Sequence, residues 1–124
     1  MGKKTILVVD DEPNIRSMLS RMLSQDYTVI GASNGEEVIN IARRRRPDLI
    51  LMDVMMPKMN GYTACLAIKR DQKTRTIPVV LLTGIDYELN IKLGKEMGAD
   101  DYLIKSLSAA DIKKTIDRIF YRKR

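Results

Sequence analysis

Several residue types are rare or missing in this sequence. It has no histidine, which excludes a histidine-based catalytic triad, a histidine metal site and phosphorylation on a histidine of this chain. Its single cysteine, Cys65, cannot form an internal disulfide and falls in a helical pattern, where a small half-buried residue is expected and not a reactive thiol. No apolar run approaches the roughly 20 residues of a membrane span, and the first residues lack the apolar segment of a signal peptide. These absences predict a cytoplasmic location.

The composition is that of a globular protein. The chain has 124 residues, 44% apolar and 31% charged, and we expect a single domain over residues 1–124. Its net charge of +6 includes two basic runs, Arg43–Arg46 and Tyr121–Arg124. The first run ends a helical pattern, where cations complement the helix dipole, so a solvated surface is the leading interpretation and a partner-docking patch the alternative. We therefore expect no direct contact of this domain with nucleic acid or membrane.

Four short apolar runs each stop at a polar side chain. They are Ile6–Val9 before Asp10 and Asp11, Leu49–Met52 before Asp53, Val79–Leu82 before Thr83, and Tyr102–Ile104 before Lys105. Continuous apolar runs predict strands that are covered on both faces of a sheet. If the strands are parallel, the polar side chains share the carboxyl edge, where open α/β sheets place their chemistry.

Helical patterns fill the segments between these runs. The predicted helices cover about residues 14–24, open at Ser33–Glu37, cover about residues 62–71, run from Ile85 to Met97 and start at Ser108. A short strand is predicted at Thr28–Gly31, and helix ends at Pro47 and Gly98. Five βα units predict an α/β fold, a doubly wound five-stranded parallel sheet with helices on both faces. A flavodoxin-like strand order, 2-1-3-4-5, would bring the ends of strands 1, 3 and 4 together, although periodicity alone does not give that order.

The polar residues at that edge suit phosphoryl transfer. Two carboxylates about 4 Å apart repel each other by roughly 4 kcal/mol at an effective dielectric of 20, so Asp10, Asp11 and Asp53 together call for a cation. Hard oxygen ligands select Mg²⁺ or Mn²⁺ over zinc. A carboxylate can also attack phosphorus, while Lys105 would neutralise charge on the phosphoryl oxygens and Thr83 would bond one of them.

Four segments carry these residues in order and at characteristic spacing. They are Val8–Pro13, Asp48–Gly61, Leu82–Gly84 and Gly98–Lys105. Together they resemble the receiver domain of two-component response regulators, as in the chemotaxis regulators, over essentially the whole chain. The resemblance implies a phosphorylation-activated switch, with no enzymatic activity beyond self-phosphorylation from phosphodonors and autodephosphorylation. It also implies three kinds of partner: a sensor histidine kinase or phosphotransfer protein, an output protein or an output domain of a larger chain, and a second copy docked through helix 4, strand 5 and helix 5.

The resemblance assigns the phosphoacceptor and the metal ligands. Asp53 is the implied phosphoacceptor, and its phosphoryl group would come from the phosphohistidine of the kinase. Asp11, Asp53 and the main-chain carbonyl of Met55 would bind Mg²⁺ directly, and Asp10 would hold it through water.

The resemblance also assigns a switch. Lys105 would pair with the phosphoryl group, and Thr83 would move toward it while Tyr102 turns inward. The surface of helix 4, strand 5 and helix 5 would change as a result. Without the resemblance, Tyr102 could equally be a half-buried aromatic residue at the start of a strand.

One residue departs from the family pattern. The family usually follows this lysine with a proline in a cis peptide, and here the residue is Ser106. A cis bond before serine costs about 3 kcal/mol, so a trans Lys105–Ser106 peptide is predicted. The loop should then take another path, which affects the reach of Lys105 and the placement of helix 5. Near the mouth of the site, the apolar Met55 and Ile85 are predicted to hinder water and lengthen the acyl-phosphate lifetime.

Three other functions compete with the switch. A haloacid-dehalogenase-type phosphatase also uses an aspartate nucleophile and Mg²⁺, but it needs an aspartate two positions later, where this chain has Met55 or Glu12. A Rossmann nucleotide-binding unit needs a glycine-rich loop after strand 1, where acidic residues follow instead. A degenerate receiver, which binds partners without being phosphorylated, stays open because of Ser106.

Overall fold

Strands and helices alternate along the chain. The structure, a computed structural model, describes residues 2–56, 58–83, 88–104 and 108–121. Within these ranges the strands are β1 (Thr5–Val9), β2 (Thr28–Ala32), β3 (Leu49–Asp53), β4 (Val79–Thr83) and β5 (Asp101–Ile104). The helices are α1 (Pro13–Leu23), α2 (Gly35–Arg45), α3 (Gly61–Arg70), α4 (Glu88–Glu96) and α5 (Ala109–Phe120). None of these helices is both long and apolar enough to cross a membrane.

The strands form one parallel sheet. Their order is β2-β1-β3-β4-β5, which confirms the predicted doubly wound α/β fold. Val9 pairs with Met52 and Asp53 pairs with Leu82, so the carboxyl ends of β1, β3 and β4 stand side by side. This order places β1 and β4 on either side of β3, at the centre of the sheet.

Helices cover both faces of the sheet. One hydrophobic layer joins α1 and α5 to the sheet through Leu19, Leu23, Ile112 and Ile116. The other joins α2 and α3 to the opposite face through Val38, Ala42, Ala64 and Ile68. Strands β3 and β4 are buried along their whole length, as their continuous apolar runs predict.

The element boundaries follow the predicted signals closely. α1 and α3 are each shifted by one residue toward the N-terminus relative to the predicted ranges, and α1 begins at Pro13, a residue that suits the first helical position. β2 extends one residue further than predicted, to Ala32, which pairs with Val9 of β1. The predicted start of the fourth helix at Ile85 lies outside the described residues.

Capping residues mark several helix ends. The Asn34 side chain accepts the N–H groups of Glu36 and Glu37 at 2.9 and 3.2 Å and so begins α2. Ser108 begins α5 by accepting the Asp111 N–H at 3.1 Å. Gly98, shortly after α4, has a φ of +94°, the left-handed conformation that favours glycine after a helix.

The first basic run lies at the C-terminal end of α2. All four residues of Arg43–Arg46 are exposed, and Arg43 pairs with Asp71 at the end of α3. Arg46 adopts a left-handed conformation with a φ of 46°, just before the buried Pro47. This position is the one that the helix-dipole interpretation predicts. Residues 122–124 of the second run lie outside the described residues.

Cys65 is a packed residue that is buried more deeply than the half-buried position predicted from the sequence. It lies on α3 and is fully buried, and its Sγ is 3.5 Å from the Met97 carbonyl oxygen. Burial raises the pKa of the Cys65 thiol to about 11. The thiol is therefore protonated at neutral pH and is a poor nucleophile.

Candidate functional site

Three carboxylates meet at the carboxyl edge of the sheet. Asp10 and Asp11 follow β1, and Asp53 ends β3, the strand beside β1. One oxygen from each of the three lies within 4.8 Å of the others. Asp10 is fully buried and Asp53 is 3% exposed, whereas Asp11 is exposed. The structure thus brings together the three acidic residues that the sequence places at this edge.

The turn after β1 fixes the position of Asp10. Its N–H donates to the Ala32 carbonyl at 3.1 Å, which ties the turn to the end of β2. Its Oδ1 accepts the Glu12 N–H at 2.9 Å. The Arg16 guanidinium donates to the Asp10 carbonyl at 2.6 Å. These contacts show that the fold determines the position of the Asp10 carboxylate.

The start of α3 packs against the backbone of Asp53. The Gly61 N–H donates to the Val54 carbonyl at 2.8 Å. A Cβ on Gly61 would lie only 2.4 Å from the Asp53 carbonyl oxygen, so this approach requires glycine. The Asp53 Oδ1 accepts the Met55 N–H at 3.3 Å, a long hydrogen bond. The segment that follows β3 therefore contacts both the main chain and the side chain of Asp53.

Thr83 stands at the same edge, on the next strand. It is the last residue of β4 and is 4% exposed. Asp53 pairs with Leu82 in the β3–β4 register, so Thr83 lies one residue beyond the level of the acidic side chain. From this position, the hydroxyl of Thr83 can donate a hydrogen bond to an oxygen atom of a group that binds at the carboxyl edge of the sheet.

Tyr102 makes a hydroxyl contact with α3. It is half-buried in β5, and its hydroxyl oxygen lies 3.0 Å from the hydroxyl oxygen of Tyr62. Burial, followed by the hydrogen bond with Tyr102, raises the pKa of Tyr62 above its ordinary value. Tyr62 therefore stays protonated at neutral pH, and one of the two hydroxyls donates to the other.

Several predicted site residues lie outside the described residues. They are Lys105, Ser106 and Ile85. The trans Lys105–Ser106 peptide and the reach of Lys105 therefore stay predictions. Met55 is described, and its side chain is 74% exposed. The metal contact predicted for the Met55 carbonyl also stays a prediction.

The acidic cluster fits a hard divalent cation. At separations up to 4.8 Å, ionised carboxylates repel each other by about 3 kcal/mol or more per pair at an effective dielectric of 20. A bound cation removes that cost, and a set made only of oxygen donors favours Mg²⁺ or Mn²⁺. Among the described residues, Asp10, Asp11 and Asp53 are the one cluster of three side chains that could hold a metal.

Two residues of this region were not predicted from the sequence. Arg16 contacts Asp10 through a main-chain carbonyl, and such a contact leaves no pattern in the sequence. Tyr62 contacts Tyr102 across 40 positions of the chain. The pair could be found only from the packing of α3 relative to β5, because neither tyrosine has a distinctive sequence neighbour.

Known proteins share both the sequence pattern and the fold. The response regulator receiver domain family matches residues 6–117. The alkaline phosphatase synthesis transcriptional regulatory protein PhoP of Bacillus subtilis is 42% identical over 123 residues, which are 98% of this chain and 50% of that protein. The chain spans about half the length of the first curated relatives that it matches.

Solved structures agree closely with this fold. The chemotaxis protein CheY4 of Vibrio cholerae has a TM-score of 0.90 at 31% identity, covering 95% of this chain and 99% of that chain. The receiver domain of the sensor histidine kinase PA1611 of Pseudomonas aeruginosa has a TM-score of 0.86 at 30% identity, covering 94% of this chain and 97% of that chain. In that domain a magnesium ion is coordinated in the active site cleft. The family match, the identities and the shared fold together show that this chain belongs to the response regulator receiver domain family of two-component signal transduction.

Proposed function

We propose that the chain is a signalling switch that accepts a phosphoryl group on Asp53 from a phosphohistidine. The donor is a partner histidine kinase or phosphotransfer protein, since the chain itself has no histidine. The observation that carries the proposal is the cluster of Asp10, Asp11 and Asp53 at the carboxyl edge of the sheet. Membership of the receiver family supports the same assignment.

The transfer is a displacement at phosphorus. An oxygen of the Asp53 carboxylate attacks, and a P–O bond forms while the P–N bond to the donor imidazole breaks. The electron pair of that bond returns to the imidazole, which takes up a proton. The burial of Asp53 limits the water that could compete for the phosphoryl group.

A divalent cation belongs to this site. Asp11, Asp53 and the Met55 carbonyl would hold Mg²⁺ or Mn²⁺ directly, and Asp10 would hold it through water. When bound, the cation offsets the charge of the carboxylates and of the incoming phosphoryl oxygens. Lys105 would contribute a second positive charge to those oxygens.

The proposed switch links the phosphorylation site to the surface formed by α4, β5 and α5. A phosphoryl group adds about two negative charges, which biases a two-state equilibrium of the domain. Thr83 would donate to the phosphoryl group, and Tyr102 would take its inward position. The surface of α4, β5 and α5 would then bind an output protein, an output domain or a second copy of the chain.

The test is intact-mass analysis after incubation with acetyl phosphate. The wild type should gain one phosphoryl group with Mg²⁺ and none without it, whereas Asp53→Asn should gain none under either condition. Asp26→Asn, which changes an exposed aspartate after α1, should behave as the wild type. A wild type that gains nothing would contradict the proposal and favour a receiver that binds partners without phosphorylation.

A further inference from the structure

The side chain of Tyr102 lies in a socket formed by three residues, Tyr62, Leu81 and Gly94. A Cβ on Gly94 would lie 3.0 Å from Cδ2 and 3.3 Å from Cε2 of the Tyr102 ring. The same Cβ would lie 3.3 Å from Cδ1 of Leu81, which pairs with Tyr102 in the β4–β5 register. The Tyr102 hydroxyl then reaches Tyr62 at 3.0 Å. The ring is therefore turned inward, between α4 and the sheet and toward α3.

The ring of Tyr102 explains why residue 94 is glycine, because it occupies the space next to the Gly94 Cα where a side chain would lie. It is buried inside α4, where glycine is less favourable than alanine. Among the described glycines, Gly98 is the one with a positive φ, so the backbone of α4 does not itself require glycine at position 94. The missing Cβ makes room for the ring of Tyr102.

The hydroxyl of Tyr62 offsets the cost of turning the Tyr102 hydroxyl inward. A phenol hydroxyl that leaves water loses hydrogen bonds, and a partner inside the protein replaces them. Outside the socket, the same hydroxyl would be satisfied by water. The contact with Tyr62 therefore stabilises the inward position of Tyr102 relative to an outward one.

Tyr62 also connects the socket to the acidic site. It follows Gly61, which lies against the Asp53 carbonyl and donates to the Val54 carbonyl. The route from Asp53 to Tyr102 through the start of α3 thus consists of direct contacts. In the proposed switch, a second route from Asp53 to Tyr102 runs through Thr83 and β4.

We propose that Tyr62 is a positioning residue for the switch: its hydroxyl holds Tyr102 inward and so favours the activated surface. The inference rests on the proposed function, because it takes the inward Tyr102 as the state that phosphorylation favours. It adds to the Thr83–Tyr102 pair a third residue, on α3.

The test compares the binding of beryllium fluoride, a mimic of the phosphoryl group, in the presence of Mg²⁺. Tyr62→Phe removes one hydroxyl and keeps the ring, so its affinity should fall about 2- to 10-fold, the effect of one hydrogen bond. Tyr102→Phe should lower the affinity by a similar factor, and the double variant should lower it no further than either single variant. Tyr121→Phe is the matched control, since Tyr121 is 78% exposed, and its affinity should equal that of the wild type.

The outcomes separate the inference from the proposed function. If the wild type binds and Tyr62→Phe binds equally well, the positioning role is overturned and the switch function stands. A variant that is less stable in urea but unchanged in affinity also overturns the role, because Tyr62 would then be only a structural residue. If the effects of Tyr62→Phe and Tyr102→Phe on affinity are independent and additive, the two hydroxyls do not act through their mutual contact, and the positioning role is overturned. If the wild type does not bind beryllium fluoride with Mg²⁺, the proposed function fails and the inference fails with it.

Discussion

At the scale of single residues, Gly61 sets how closely α3 approaches the strand that carries Asp53. The carbonyl oxygen of Asp53 occupies the space where any other residue would have its Cβ, 2.4 Å away. Backbone atoms cannot move aside as the end of a flexible side chain can. The fit of α3 against β3 therefore depends on one missing carbon atom.

Gly61→Ala should lower the free energy of unfolding by about 1–3 kcal/mol, because the helix must shift away from Asp53 to admit the methyl group. Urea unfolding measures this loss. The control is Gly2→Ala, where nothing lies within 4 Å of the added Cβ, and its effect should stay within about 0.5 kcal/mol. Equal stabilities for the two variants would show that the approach of α3 is looser than the structure indicates.

Other residue-scale features could be predicted only in part from the sequence. The carboxylates and Thr83 could be found because each directly follows or ends an apolar run, and strand ends share an edge. The contacts of Gly94 and Tyr62 could not be found in this way. Gly94 lies within a helical pattern that tolerates glycine, and only the position of the Tyr102 ring explains it.

At the scale of elements, one ion pair joins the ends of α2 and α3. Asp71 follows α3, and its carboxylate accepts the Lys73 N–H at 2.9 Å and pairs with Arg43 of α2. The Lys73 N–H first, and the Arg43 guanidinium second, lower the pKa of Asp71 below its ordinary value. The ionised form of Asp71 is therefore the form that the folded protein favours.

The stabilising effect of Asp71 should depend on pH. Because its pKa is lower in the folded than in the unfolded protein, its contribution is present above the unfolded pKa and is lost as pH falls through the folded pKa. Asp71→Asn should thus be less stable than the wild type at pH 7, and the difference should shrink as the solution is acidified below about pH 4. Urea unfolding across this range measures both effects.

The exposed Glu96→Gln serves as the control for this series, and it should differ little from the wild type at either pH. A stability difference for Asp71→Asn that is constant with pH would assign the effect to packing and not to charge.

The helix ends show what sequence can predict at this scale. Asn34, Ser108 and Gly98 mark helix boundaries because their side chain or backbone freedom satisfies groups that a helix end leaves without partners. The strand order had no such local signal, since it depends on which crossovers are made. The flavodoxin-like order was predicted because it would bring the ends of strands 1, 3 and 4 together, and the sheet confirms it.

At the scale of the whole molecule, the basic residues of the last helix turns and the acidic cluster lie at opposite edges of the sheet. The helices run opposite to the strands, so their C-terminal ends lie at the amino edge, and each has basic residues in its last turn. These residues are Arg21, Arg43–Arg45, Lys69, Arg70, Lys95 and Arg118. The acidic cluster lies at the opposite edge, where helix N-termini favour negative charge. The helix dipoles therefore favour both the basic residues at the amino edge and the acidic cluster at the carboxyl edge.

This arrangement predicts that Mg²⁺ stabilises the whole domain. A ligand at 100 times its dissociation constant adds about 2.7 kcal/mol to the free energy of unfolding. Thermal unfolding of the wild type should therefore shift to higher temperature with Mg²⁺. Asp11→Asn should be more stable than the wild type without Mg²⁺, because a repulsive charge is gone, and should respond little to the ion.

Sodium chloride at matched ionic strength is the control for simple screening of the acidic cluster. If sodium chloride reproduces the full effect of Mg²⁺, or if Asp11→Asn responds as the wild type does, the three carboxylates do not form a metal site.

The contact between Tyr62 and Tyr102 has a practical consequence for spectroscopy. The chain has no tryptophan and five tyrosines, so tyrosine absorption is not masked in the near ultraviolet. Two of the five rings share a hydroxyl contact, and their transitions respond to its loss. The domain therefore carries a built-in optical reporter, and circular dichroism in the tyrosine absorption band can follow the movement of Tyr102 without any attached label.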